Sequence, residues 1–338
     1  MVKAMALLAA LLLSVSVQAY DFFEHEFHIE AYGSKIMVGT YAHRAKDSAT
    51  VIYLPGYADT FNNHEDLLSQ LHDAGVRVIS FDYPSHGQSD GGIWAWDIQD
   101  VASIIKAVLS SPSLNSGELA INRKLPVILV GWSTGATMAI RTAQTWHPHV
   151  IPADLRLAGI VAFAPGLPVQ LAVGHGYSRL GTKVKAEDLT RNARAIKYAP
   201  MPESTLASGP FALSLFTTSV AAKVMSAPAI PTLVFVADND KDFFVNANSS
   251  ATWVQNSPET PTFGFQCEGA YHGLEFEPDG IGELTRLLTL EFVQRLAQPS
   301  AAQSLLEIEQ SFRTRSYKIC PAIHQAKRLI KDRRLLER

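Results

Sequence analysis

Between residues 127 and 136 the chain reads Val127-Ile128-Leu129-Val130-Gly131-Trp132-Ser133-Thr134-Gly135-Ala136, an aliphatic run that stops at Gly-x-Ser-x-Gly. Met138, Ile140 and Ala143 follow on one helical face. Few folds accept this pattern: it predicts a buried strand, a sharp turn with Ser133 at its tip, and a helix. Such a turn holds its serine in a strained backbone conformation, so the positions two before and two after it must lack bulk. Gly131 and Gly135 meet that demand.

The rest of the chain supplies a sheet for that strand. Residues 27–31 and 36–41 alternate apolar and polar around Gly33-Ser34, as an antiparallel hairpin at a sheet edge does. Residues 51–54 form a buried-strand run ending at Pro55-Gly56, followed by a helix with Leu67, Leu68 and Leu71 on one face that stops at Gly75. A strand over 76–81, a helix over 98–109 and the Ser133 strand and helix continue the alternation, with further strands at 158–164, 232–237 and 262–267 and a closing helix over 282–296. Alternating strands and helices predict an α/β fold, with a mostly parallel central sheet covered by helices on both faces. The connection between residues 165 and 231 is too long for a simple crossover and too apolar for a solvated linker. It reads as an inserted cap or lid, with a helical patch over 214–225. The expected organisation is a core of residues 20–166 and 230–298, a cap over 167–229 and a tail over 299–338.

Both ends differ from this core. Lys3 is followed by an apolar run from Ala6 to Val17, too short to span a bilayer, and then by Val17-Gln18-Ala19 before Tyr20. Small residues at these positions fit a secretory signal peptide over residues 1–19, cleaved after Ala19, and predict an exported, periplasmic or secreted protein. The tail beyond Pro299 carries nine Lys or Arg against four Asp or Glu, with Ile323, Ala326, Leu329 and Ile330 at helical spacing. It reads either as a helix docked on the core with its basic face in water or as a surface helix in peripheral contact with an anionic membrane. The whole chain has a net charge of −3, which leaves no basic footprint for nucleic acid. Cys267 and Cys320 are equally compatible with one disulfide and with two free thiols.

A serine hydroxyl is a weak nucleophile and needs a histidine base oriented by a carboxylate. His272 stands after the last strand and before the closing helix, where such a base belongs. Two residues compete for the acid in Asp238-Asn239-Asp240-Lys241-Asp242-Phe243-Phe244-Val245. A short fixed distance past the strand favours Asp240, whereas the aromatics and Val245 that could anchor the next helix favour Asp242; Asp238 reads as a turn residue. Donors for a developing oxyanion are expected from the Thr134 backbone N–H and, across the sheet, from the Tyr57 N–H after Pro55-Gly56. His64 and His72 read as solvated on a polar helix face, as do His147 and His149 at a helix end. No histidine spacing suggests a metal site, and the chemistry asks for no cofactor.

Leu54-Pro55-Gly56-Tyr57, Asp82-Tyr83-Pro84-Ser85-His86-Gly87-Gln88-Ser89, Gly131-Trp132-Ser133-Thr134-Gly135, the Asp240 loop and His272, taken together, resemble the α/β-hydrolase superfamily. The similarity is greatest to its branch of monoacylglycerol lipases, lysophospholipases and serine aminopeptidase-like hydrolases, and it covers residues 27–296. The resemblance implies that the Asp82–Ser89 segment is a structural turn, with no catalytic role for His86. Pro55 departs from the histidine usual before the oxyanion glycine, and the acid loop is longer than usual. The expected activity is cleavage of carboxylic esters through an acyl-enzyme, with a small acyl ester or lipid such as a lysophospholipid or monoacylglycerol as substrate. A peptidase or amidase, for which the cap offers only Glu187, Asp188 and Glu203 to hold an amine, and a non-catalytic binding protein on the same scaffold are the alternatives.

Overall fold

Thr50–Leu54 (β3), Arg77–Phe81 (β4) and Pro126–Trp132 (β5) are buried along their whole length, which is what strands with helices on both faces require. They belong to an eight-stranded sheet in the computed structural model, which describes residues 25–31, 33–41, 47–91, 98–169, 185–198, 209–257, 260–298, 307–308, 310–312 and 318–323. The signal peptide expected over 1–19, residues 170–184 and 199–208 of the expected cap (Glu203 among them) and the basic stretch 324–338 lie outside these residues.

The sheet order is β1-β2-β4-β3-β5-β6-β7-β8, where β1 is His25–Ala31, β2 Ser34–Tyr41, β6 Arg156–Phe163, β7 Thr232–Val236 and β8 Thr262–Gln266. The β1–β2 hairpin pairs Phe27 with Val38 and Ile29 with Ile36, and β2 joins β4 antiparallel; every other pairing is parallel. β1 is half-exposed along most of its length, as an edge strand can be. On one side of the sheet Ile104, Ile105 and Val108 of Asp100–Ser110 (α2) pack with Ile79, Leu129 and Met138. On the other, Leu67, Leu68 and Leu71 of Glu65–Asp73 (α1) and Leu288, Phe292 and Val293 of the closing helix pack with Val51, Val130 and Val161. Stacked Phe163, Phe235 and Phe265 join β6, β7 and β8 across that second face, with ring centroids 4.9 and 5.9 Å apart.

Thr134–Arg141 (α3) follows β5 directly. Gly209–Val224 (α4), within the stretch predicted as a cap, is apolar on nearly every side; it buries Phe211 and Leu215 yet leaves Leu213 and Val224 in water. Ala247–Gln255 (α5) follows β7, and Ile281–Leu296 (α6) closes the fold. Cys267 and Cys320 form a disulfide, which ties the end of β8 to the tail. Beside it the Gln266 N–H donates to the Pro321 carbonyl at 3.1 Å and the Ile323 N–H to the Gly264 carbonyl at 2.7 Å, so the tail extends the sheet past β8.

Candidate active site

Ser133 sits between β5 and α3 with φ 56° and ψ −115°, the strained tip that the glycine spacing predicts. The structure shows why both glycines are needed. A Cβ on Gly131 would lie 2.5 Å from the Gly135 backbone, and a Cβ on Gly135 would lie 2.0 Å from the Leu54 carbonyl oxygen. The second contact presses the loop after β3 against the first turn of α3, with no room for a side chain between them.

His272, 2% exposed, lies in the loop after β8. The Ser133 hydroxyl donates to its Nε2 at 2.7 Å, and its Nδ1–H donates to Asp242 Oδ2 at 2.9 Å. A carboxylate only accepts, which assigns the proton to Nδ1 and leaves Nε2 as the acceptor facing Ser133. The indole N–H of Trp132 holds the His272 carbonyl at 2.9 Å, and the Phe244 ring packs 4.9 Å from the imidazole. Asp242 is itself clamped, because its Oδ1 accepts the N–H groups of Phe244 and Val245 at 2.9 and 3.2 Å.

The acid expected first from the sequence, Asp240, is not the one that meets the histidine. After β7 the chain makes a turn in which the Asp238 carbonyl accepts from Lys241 and Asp242, and the Asp238 carboxylate accepts from Asp240 N and Gly269 N. The turn uses up the extra residues and leaves Asp240 exposed at its crest, while the next inward position, Asp242, is 2% exposed beside His272. Asp238 is a turn residue as expected, and its carboxylate also joins the acid loop to the histidine loop.

Tyr57 and Thr134 flank the Ser133 turn from two sides. Thr134 opens α3, and N–H groups of a first helical turn have no acceptor within their own helix. Tyr57 lies in the loop after β3, its ring stacked on Phe211 of α4 with centroids 4.7 Å apart. The Asp82–Ser89 segment shapes that loop: the Tyr83 hydroxyl donates to the Pro55 carbonyl at 2.8 Å, and Asp82 accepts the Phe61 N–H at 3.2 Å. His86 accepts the Ala58 N–H on Nε2 and donates from Nδ1 to the Pro84 carbonyl, both at 2.9 Å. Those partners need a neutral imidazole, and burial pushes the His86 pKa down to about 4, against the Pro84 carbonyl and Asp59. Ala58, at φ 62°, is thereby held next to Tyr57. Burial also raises Asp82 to about 7, opposed by its Gln88, Thr60 and Phe61 donors.

Part of the stretch predicted as a cap anchors on the histidine loop. The Gly273 N–H donates to the Leu189 carbonyl at 2.7 Å, and Arg191 donates to Glu277 at 2.7 Å and Asp279 at 2.9 Å. Asp188, considered from the sequence as an amine holder, accepts the Lys185 N–H and caps its own short helix, and Glu187 is exposed.

His149 is exposed, as expected, and the side chain of His147 lies outside the described residues. His72 is half-buried against the Tyr41 ring. His64 departs from the expectation altogether: it is 1% exposed and ion-paired with Asp59 and Glu275. It belongs to a 3₁₀ turn, Phe61–His64, whose four residues are all buried beneath the start of α1, so the polar face of that helix does not include it. Tyr53, buried among Val51, Ile52 and Leu54 of its strand and in need of a polar partner, was the sequence signal that could have revealed this. Among the described residues no group of three or more His, Cys, Asp or Glu is arranged to hold a metal ion.

With this geometry in view, the comparisons with known proteins agree on the fold. A monoacylglycerol lipase from Paleococcus ferrophilus superposes with a TM-score of 0.61 at 20% identity, covering 77% of this chain and 99% of the lipase. A soluble variant of the Saccharomyces cerevisiae monoglyceride lipase, in complex with a substrate analog, superposes with a TM-score of 0.63 at 14% identity, covering 81% and 95%. A Mycobacterium phage D29 protein provisionally named a non-heme haloperoxidase is 28% identical over 134 residues, which is 40% of this chain and less than half, 43%, of that relative. The family model described as serine aminopeptidase, S33, matches residues 45–279, a span that contains Ser133, Asp242 and His272. The chain belongs to that family, the S33 serine aminopeptidase family, and has the α/β-hydrolase fold.

Proposed function

We propose that this lipase- or esterase-like hydrolase is an exported serine enzyme that cleaves carboxylic esters through a covalent acyl-enzyme. The observation that carries the reading is the continuous relay from the Ser133 hydroxyl through His272 to Asp242, with contacts of 2.7 and 2.9 Å. Ser133 Oγ attacks the ester carbonyl as its proton passes to His272 Nε2. Asp242 holds Nδ1–H and stabilises the imidazolium, which then protonates the leaving alcohol. Water deacylates the serine by the same steps in reverse. The Thr134 and Tyr57 amides are assigned to the oxyanion.

The neighbours' names, monoacylglycerol lipase and monoglyceride lipase, together with the apolar α4 beside Tyr57, favour an acyl-glycerol or lysophospholipid substrate. Export rests on the leader over 1–19 and on the Cys267–Cys320 disulfide, which suits an oxidising compartment. The family description favours a second reading, hydrolysis of an N-terminal aminoacyl bond by the same relay. Assaying monoacylglycerols and aminoacyl amides side by side with wild type and Ser133→Ala tests both. The ester reading expects turnover of the glyceride that disappears in the folded variant; turnover of the amide alone transfers the assignment to the peptidase.

A further inference from the structure

A second buried polar cluster lies behind the Ser133 turn. His64 Nε2–H donates to Asp59 Oδ2 at 2.5 Å, and its Nδ1–H is directed at Glu275 Oε1. The Tyr53 hydroxyl touches the same Nδ1 at 2.7 Å and donates to Glu275 Oε1 at 3.3 Å. Tyr53, Asp59 and Glu275 are all buried, and from α6 Arg286 donates to the Glu275 carbonyl. Ionised carboxylates only accept, so with one on each ring nitrogen His64 carries both protons and is a cation. Burial opposes that charge, but Glu275 and Asp59 outweigh it and hold the His64 pKa up at about 10.

The members of this cluster come from the segments that carry the proposed chemistry. Asp59 is two residues beyond Tyr57, and Glu275 is three residues beyond His272. Asn63 donates to Asp59 Oδ1 at 2.7 Å and accepts the N–H of Tyr198, from the cap stretch, at 2.9 Å. The Trp132 ring, whose N–H holds the His272 carbonyl, lies 5.6 Å from the His64 ring and 5.3 Å from the His272 ring. Strand pairing does not join the loop after β3 to the loop after β8, because three strands, β5, β6 and β7, lie between β3 and β8 in the sheet. The imidazolium supplies the missing tie.

We propose that His64 is a positioning residue for hydrolysis at Ser133: bound as a cation by Asp59 on one side and Glu275 on the other, it fixes the loop bearing the Tyr57 amide at one spacing from the loop bearing His272. This rests on the roles assigned above to Ser133 and His272. A tie of this kind acts on the transition state, in which base and oxyanion donors must converge, so its loss lowers kcat more than it raises KM.

Glu275→Gln is the most informative variant. It keeps an oxygen to accept from His64 Nδ1 and leaves a neutral His64–Asp59 pair, whereas removing His64 leaves two buried carboxylates facing one another. The assay is the pH profile of kcat and KM for p-nitrophenyl butyrate, corrected for spontaneous hydrolysis, with near-UV circular dichroism recorded alongside. Wild type is expected to lose kcat near pH 10 while its near-UV spectrum persists. In Glu275→Gln the alkaline limb moves toward neutral by about one pH unit or more, since one of the two charges supporting His64 is gone, with KM changed less than about twofold. His64→Gln has no such limb and a plateau kcat at least about tenfold lower. A wild-type kcat flat to about pH 11, or a folded Glu275→Gln profile that coincides with wild type, overturns the proposal; if the variants do not fold, the wild-type limb decides it. Fluorophosphonate labelling of wild type at Ser133 separates the two levels: an unlabelled wild type refutes the proposed function, while a labelled wild type with an unmoved profile refutes only the role of His64.

Discussion

Replacing Asp242 by asparagine changes one atom in contact with His272, and its effect follows from the local hydrogen bonds. Asp242 Oδ1 is occupied by the Phe244 and Val245 amides at 2.9 and 3.2 Å, both donors, so an asparagine must place its carbonyl oxygen there. Its NH₂ then replaces Oδ2, 2.9 Å from His272 Nδ1. Two donors cannot face one another, so the imidazole changes tautomer, Nδ1 becomes the acceptor, and Nε2 carries the proton toward Ser133. A histidine in that state cannot take the serine proton, and the expected loss in kcat is about 10⁴-fold, or about 5 kcal/mol of transition-state stabilisation. The polypeptide should fold normally, because asparagine keeps the two backbone contacts of Oδ1. Asp240→Asn is the matched control: it alters an exposed crest residue, and kcat should stay within about twofold of wild type, as surface changes away from a site do. Initial rates with p-nitrophenyl butyrate, with circular dichroism to confirm folding, provide the measurement. An Asp242→Asn enzyme with more than about a tenth of wild-type kcat, or an Asp240→Asn enzyme with the larger loss, would refute the reasoning.

Gly135→Ala drives a methyl against the Leu54 and Pro55 carbonyl oxygens, 2.0 and 2.5 Å away, neither of which belongs to a flexible side chain. It should cost about 2–3 kcal/mol or more, read as a lower thermal midpoint. Reducing the Cys267–Cys320 bridge, which closes a separation of 53 residues, should lower stability by about 2–4 kcal/mol in a denaturant titration with and without dithiothreitol. His86 is depressed to about 4 in the fold against 6.5 in the open chain, so the unfolded state binds the extra proton between those values. Its contribution is therefore complete above pH 6.5 and lost as pH falls through 4. Asp82, raised from 3.8 to about 7, works in the opposite sense and loses its contribution as pH rises through 7. Urea titrations from about pH 4 to 7 should show the acid-side slope of stability decrease in His86→Gln, whose amide oxygen can still accept the Ala58 N–H.

The parts of this fold most legible in the sequence are those where local chemistry and global position coincide. A fully aliphatic strand followed by Gly-x-Ser-x-Gly admits one local structure, and the only histidine between the last strand and the tail can serve one serine. β3, β4 and β5 are equally plain, because strands buried on both faces contain few polar residues. Strand order, by contrast, is not a local property: nothing in residues 34–41 says that β2 pairs with β4 rather than with β3. The choice between Asp240 and Asp242 depended on a turn that absorbs residues through the Asp238 carbonyl and carboxylate, and a count along the chain does not register it. His64 was misplaced because helical periodicity is a statement about α1, whereas the residue belongs to the buried 3₁₀ turn before it. Its partners Tyr53, Asp59 and Glu275 are spread over more than two hundred residues, so the cluster exists only once the chain is folded.

The central claim is that Ser133 is the nucleophile of an acyl-enzyme. The most direct test is to treat the folded protein with a fluorophosphonate, measure the intact mass and map the adduct by peptide sequencing. A single phosphonyl group on Ser133, absent from Ser133→Ala and slowed severely in Asp242→Asn, is the predicted result. An unmodified folded protein, or an adduct on another residue, would contradict it.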